Sequence, residues 1–150
     1  VDLSESMQVK DFLLADEPEI TRDAWDGYPA TRQRLLEAIT ASEVPNPVVV
    51  TGDWHASFVL DVASNPDGPT VMPEFLASSI STVLFDTDYR PENPHVRYFV
   101  AEHGYALVTV TPDDLRCDFR YIEDVWDPDT AISHTDSWVL AEGEHEPSAV

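Results

Sequence analysis

The sequence predicts an α/β fold in which one helix leads into a buried strand and then an antiparallel meander. Three observations predict it. Leu35, Leu36 and Ile39 recur at helical spacing after Pro29. The apolar run Val48, Val49, Val50 is closed by Gly52. From residue 95 onward, short segments of alternating apolar and polar residues are separated by turn-forming residues.

Taken in order, residues 1–21 are polar and acidic with little periodicity, and are expected to be a connecting segment that docks on other parts of a protein. Pro29 suits a first helical position and Pro45 forbids continuation, so the helix lies between them. Pro47 opens the next run, and three valines in succession predict a strand buried on both faces. Phe58 to Val62 extends it as a second strand or short helix, and Asn65-Pro-Asp-Gly68 marks a turn. Residues 82–94, with Asp86, Asp88, Pro91, Asn93 and Pro94, make a loop. Three strands follow, over 95–101, 105–110 and 115–122, the last two joined by the turn Thr111-Pro-Asp-Asp114. Ser137 to Ala141 adds an edge strand, and residues 142–150 are expected to be a disordered tail.

With 43% apolar residues, the 150-residue chain can bury one sizeable core, and no apolar run approaches the roughly 18 residues of a membrane span. It carries 29 acids against 8 bases, a formal charge of −21, and Lys10 is its only lysine. This excludes nucleic-acid binding by surface charge. The same charge repels a phosphate ester, so any such substrate requires local cations to invert the field. Bound metals or Arg32, Arg34, Arg90, Arg97, Arg116 and Arg120 are the sources, although arginines in surface ion pairs are the ordinary case. A halophilic host and a GC-rich genome both account for the acidity. The single Cys117 excludes an internal disulfide and leaves the compartment open; its alternation with Leu115, Phe119 and Tyr121 predicts a buried strand thiol.

Chemistry is expected in Thr51-Gly-Asp-Trp-His55, where an apolar strand runs into a glycine turn carrying a carboxylate and an imidazole two residues apart. The carboxyl end of a strand is where ligands collect in open α/β sheets. On an extended backbone Asp53 and His55 project to the same side. Together they suit Zn, Fe or Mn, and the carboxylate also serves Ca or Mg. Equally, Asp53 can cap a turn or helix and His55 can donate to a nearby carbonyl. His95 faces the site or pairs with Asp86 or Asp88. His103, His134 and His145 fall in turns, loops or the tail, where solvent is the default surrounding. Trp25, Trp54, Trp126 and Trp138 read as core or rim aromatics. Ser78, Ser79 and Ser81 lack a base at recognisable spacing, so a nucleophilic triad is discounted. The acidic stretch 124–129 lacks the glycine and terminal Glu of an EF-hand and reads as a solvated loop.

Several rarer tokens stand in one order. Asp23-Ala-Trp-Asp-Gly-Tyr-Pro29, the helix Thr31-Arg-Gln-Arg-Leu-Leu-Glu37 and Asn46-Pro-Val-Val-Val-Thr-Gly-Asp-Trp-His-Ala-Ser57 come first. Glu74-Phe75, Ser78-Ser-Ile-Ser81, Asn93-Pro-His-Val-Arg-Tyr98, Gly104-Tyr105 and Val110-Thr-Pro112 follow. This order resembles the later half of the alkaline phosphatase D family, with patterns D-x-W-D-G-Y-P, R-x-x-L-L and N-x-V-V-x-T-G-D-x-H-S-S, over roughly residues 22 to 140. Ala56 departs from the family's usual Ser. The family's earlier segments, a Cys, Gly-Asp-x-x-Tyr, Asp-His-Glu and an Asn, are missing here.

The resemblance implies part of a metallophosphoesterase-type β-sandwich flanked by helices, with residues 22–141 forming the carboxyl-terminal part of a metallophosphatase domain. Half of such a sandwich is expected to leave an open edge or face. It implies hydrolysis of phosphomonoesters or phosphodiesters through a metal-bound water or hydroxide, with Asp53 and His55 as metal ligands and catalytic residues and with calcium and iron as the metals. It implies an exported enzyme, a phosphate ester as substrate and the missing amino-terminal half as partner, without which the 150 residues are expected to be inactive. Asp26, Tyr28 and His95 are candidates for substrate contact at the rim, against a plain turn at Asp26-Gly27 and ordinary packing of Tyr28. The competing expectation is a non-catalytic acidic fragment or domain that binds a protein partner or calcium.

Overall fold

The computed structural model describes Trp25 and residues 28–65, 68–91 and 93–150. Helix α1 spans Pro29–Ala41, with Pro29 in its first turn, where a fixed φ and a missing N–H cost nothing. Leu36 is buried and Leu35 and Ile39 are half-buried, as the spacing predicts. The helix stops before Pro45, and the Ser42 hydroxyl donates to the Ala38 carbonyl at 2.7 Å.

Strands β1 (Val49–Thr51), β2 (Ser57–Ala63), β3 (Thr70–Leu76) and β4 (Val96–Val100) form one sheet in the order β1-β3-β2-β4. Strands β5 (Gly104–Val110), β6 (Asp114–Ile122), β7 (Ile132–Ala141) and β8 (Ser148–Ala149) form a second as an antiparallel meander. Val59 and Phe75 of the first sheet pack with Cys117, Phe119, Tyr121 and Trp138 of the second, so the two are stacked as a sandwich. The other face of the first sheet is covered in two places. Leu36 of α1 packs on Val49, Val62 and Met72, and Tyr89 of the 77–95 loop packs on Phe58, Leu60, Leu76 and Val96. Each fully buried Phe or Leu contributes on the order of 1.5–3 kcal/mol.

The fold is therefore mostly β with one helix among the described residues, rather than α/β. The reason is topological: β1 and β3 are parallel, but the crossover between them is made by strand β2, not by a helix. The central strand β3 was not expected at all, because Pro73 and Glu74 interrupt its apolar pattern. Pro73 is tolerated because β1 pairs only with Glu74, Phe75 and Leu76, leaving that side of β3 without a ladder partner at Pro73.

Nor is β1 buried on both faces. Val49 is buried, whereas Val50 is 56% exposed, since β1 is an edge strand whose neighbour on one side is absent among the described residues. The segment 95–101 does not open the meander either. It pairs with β2, and the chain changes sheets at residues 101–103. The strand expected at 137–141 is longer and lies inside its sheet, between β6 and β8. Residues 142–150, expected as a disordered tail, carry β8. There the Val150 N–H donates to the Ser137 carbonyl at 3.0 Å and Glu146 pairs with Arg97 at 2.6 Å.

A candidate metal-binding turn at the end of strand β1

At the carboxyl end of β1 the chain leaves the sheet through Gly52, turns, and re-enters at Ser57. The Ala77 N–H donates to the Thr51 carbonyl at 2.9 Å, so the exit from β3 lies beside this turn. Gly104, where β5 begins, donates its N–H to the Ser79 carbonyl at 3.1 Å. A Cβ on Gly104 would stand 2.2 Å from the Arg120 carbonyl oxygen, so only glycine allows β5 this close to β6. One end of the sandwich thus collects Asp53, His55, Ser78, Ser79 and His103.

The turn is not extended. Asp53 has φ 77° and His55 has φ 59°, both in the left-handed region. The strand-like alternation expected to point both side chains one way therefore does not operate. Left-handed backbone at two non-glycine residues in one turn costs on the order of 1–2 kcal/mol each, and strain of this kind collects at functional sites. Asp53 is exposed. His55 is half-buried, and its Nδ1 is buried with no hydrogen-bond partner. An unsatisfied buried polar atom costs about 1–3 kcal/mol. Its ring lies flat on Phe85, with centroids 5.1 Å apart and planes 2° from parallel.

By residue type these two fit a cation as part of a donor set, an exposed carboxylate and an imidazole two residues apart. They do not complete one. Among the described residues no group of three or more His, Cys, Asp or Glu is arranged to hold a metal.

Of the remaining predicted residues, the His95 backbone lies away from this turn. His95 is half-buried and its carbonyl accepts the Asp61 N–H at 2.9 Å. That places its backbone four residues along β2 from Ser57, on the order of 13 Å from the strand end where His55 sits. Asp88 is taken by Arg90 at 2.8 Å. Tyr28 is 51% exposed, and its carbonyl accepts the N–H groups of Thr31 and Arg32 at the start of α1. Asp26 lies outside the described residues.

Among the described residues, two of the candidate arginines are engaged in ion pairs elsewhere. Arg97 pairs with Asp61 at 2.5 Å and with Glu146, and Arg116 pairs with Asp118 at 2.7 Å. Burial outweighs Arg97 and raises the Asp61 carboxyl above the ordinary value. The hydrogen bond from Ser137, opposed by burial and reinforced by Arg116, holds Asp118 below it.

Three contributors were missed in the sequence. His103, expected in solvent, has its Nε2 2.8 Å from the Thr82 carbonyl and so ties the 77–95 loop to the site. Glu74 is 1% exposed and accepts the Thr51 hydroxyl at 2.7 Å, anchoring β1 just before the turn. A lone acid inside an apolar strand was the available signal. Phe85 stood in a polar loop with no periodicity to point to it.

Comparison with known proteins shows the family. The profile of the PhoD-like phosphatase family matches residues 3–119, taking in much of the segment expected to be a connector. Alkaline phosphatase D of Bacillus subtilis (strain 168) is 36% identical over 138 residues, 85% of this chain and 24% of that protein. A solved structure described as the structure of PhoD superposes with a TM-score of 0.75 at 33% identity, covering 85% of this chain and 26% of that one. Spanning about a quarter of the length of these relatives, the chain belongs to the PhoD-like phosphatase family.

Proposed function

We propose that this chain supplies Asp53 and His55 to the metal site of an exported enzyme that hydrolyses phosphate monoesters or diesters, with calcium and iron as its cations. The supporting observation is the turn itself. Two left-handed non-glycine residues, one with a dry and unpartnered imidazole nitrogen, stand at the end of a strand in a chain of this family. Asp53 contributes a negative charge that offsets part of the cation's charge, and His55 contributes a neutral donor. A bound cation supplies Lewis acidity toward the phosphoryl oxygens and lowers the pKa of water. Glu74 fixes the strand end beneath Asp53 through Thr51, which keeps the carboxylate in place without touching substrate. Calcium, iron and export follow from the resemblance of the Gly52-Asp-Trp-His55 turn and its neighbours to the family's patterns.

Two donors do not fix a catalytic cation, so the 150 residues alone are expected to show little turnover. The decisive experiment grafts the matched segment, 85% of this chain, into the Bacillus subtilis enzyme in place of its own. The graft should hydrolyse a nitrophenyl phosphodiester, and His55→Ala or Asp53→Ala should abolish that hydrolysis. Undiminished activity in either variant overturns the assignment.

A further inference from the structure

We propose that Phe85 is a positioning residue for His55, its ring fixing the plane in which the imidazole meets a cation. The proposal rests on the assignment of His55 made above. Histidines that bind metals are commonly oriented by a hydrogen bond from the second ring nitrogen. Among the described residues neither ring nitrogen of His55 has such a bond, so another contact must hold the ring. The parallel stack at 5.1 Å and 2° is that contact.

The same residue also holds the His55 backbone, because the Phe85 N–H donates to the His55 carbonyl at 3.3 Å. Phe85 is 50% exposed, so burial does not explain a large apolar side chain at this loop position. Its loop is pinned to the site end. Ser79 Oγ accepts the N–H groups of Ser81 and Thr82 at 3.2 and 2.7 Å, and His103 Nε2 meets the Thr82 carbonyl. An imidazole that gives electron density to a cation becomes positive in character, and the face of a phenyl ring attracts positive charge. The stack therefore favours the loaded state over the empty one.

Two readouts test this on the chain and one on the grafted enzyme. In the chain labelled at histidine, the His55 ring C–H resonances carry a ring-current shift that Phe85→Leu removes and Phe85→Tyr keeps. Titration with Zn²⁺ alone should show about tenfold weaker binding for Phe85→Leu, with Phe85→Tyr indistinguishable from the unaltered chain. In the grafted enzyme Phe85→Leu should lower kcat about tenfold at unchanged KM, with Phe85→Tyr restoring it. Unaltered His55 resonances in Phe85→Leu overturn the proposal, as does unchanged kcat in the graft even where Zn²⁺ binding to the chain is too weak to compare. Failure of the parent assignment is separately visible. His55→Ala would then leave both Zn²⁺ binding and hydrolysis intact, while the unaltered chain still shows the ring-current shift at His55.

Discussion

Asp53→Gly separates strain held for function from strain held for nothing. Asp53 is exposed at φ 77°, a conformation that costs an L-residue on the order of 1–2 kcal/mol and glycine almost nothing. Against that relief stands the larger entropy of glycine in the unfolded chain, about 0.5–1 kcal/mol. The side chain makes no hydrogen bond or ion pair among the described residues, so its removal subtracts little else. The variant should therefore be more stable by about 0.5–1 kcal/mol, a Tm rise of roughly 1–4 °C for a domain of this size. The companion Asp53→Ala should be no more stable than the parent, since alanine tolerates the left-handed region less well than aspartate. Thermal and urea unfolding of the 150-residue chain measure both, and the grafted enzyme reports whether hydrolysis is lost as stability is gained. A destabilised Asp53→Gly would refute the reasoning, because it would mean that the carboxylate contributes to folding.

Burial pushes the Cys117 thiol up to about 12, with Asp118 adding to the effect, so a thiol reagent at pH 8 should leave the native chain unmodified and label it fully in urea. Gly104→Ala should destabilise by about 2–3 kcal/mol in urea unfolding, since the added methyl meets backbone that cannot yield. Arg97→Ala should cost about 1–3 kcal/mol at pH 7 by leaving the half-buried Asp61 carboxylate without its partner. Because the folded carboxyl is already raised, the protonated form is the one the native state favours. Stability from Asp61 is present below the ordinary carboxylate value and is lost as pH rises through the raised one, so the cost of Arg97→Ala should shrink in unfolding measured near pH 4.

Local periodicity made α1, β5 and β6 legible, whereas β2, buried on both faces, left strand and helix open. The turn at residues 52–55 was legible as a place, through Gly52 and the Asp-x-His spacing. Its conformation was not, since positive φ at Asp53 and His55 is imposed by the re-entry of the chain at Ser57 and has no local signature. Strand β3 was hidden for a related reason. Whether Pro73 breaks a strand depends on which residues lie beside it, and β1 is more than twenty positions earlier in the chain. Phe85 and His103 act across loops that only tertiary packing closes, and a pattern read along the chain carries no trace of such a meeting.

Among the described residues strand β1 ends the sheet with Val50 largely exposed, and the candidate turn hangs from that same strand. A cation site at such a place is a joint between two pieces rather than a pocket within one. Donors on either side of the joint are held together by the ion, so its binding free energy becomes part of the free energy of assembly. In a chain of the relatives' length, chelation would then loosen a seam as well as empty a site. If the proposed assignment of Asp53 and His55 holds, two separately made pieces would find each other more tightly as cation concentration rises.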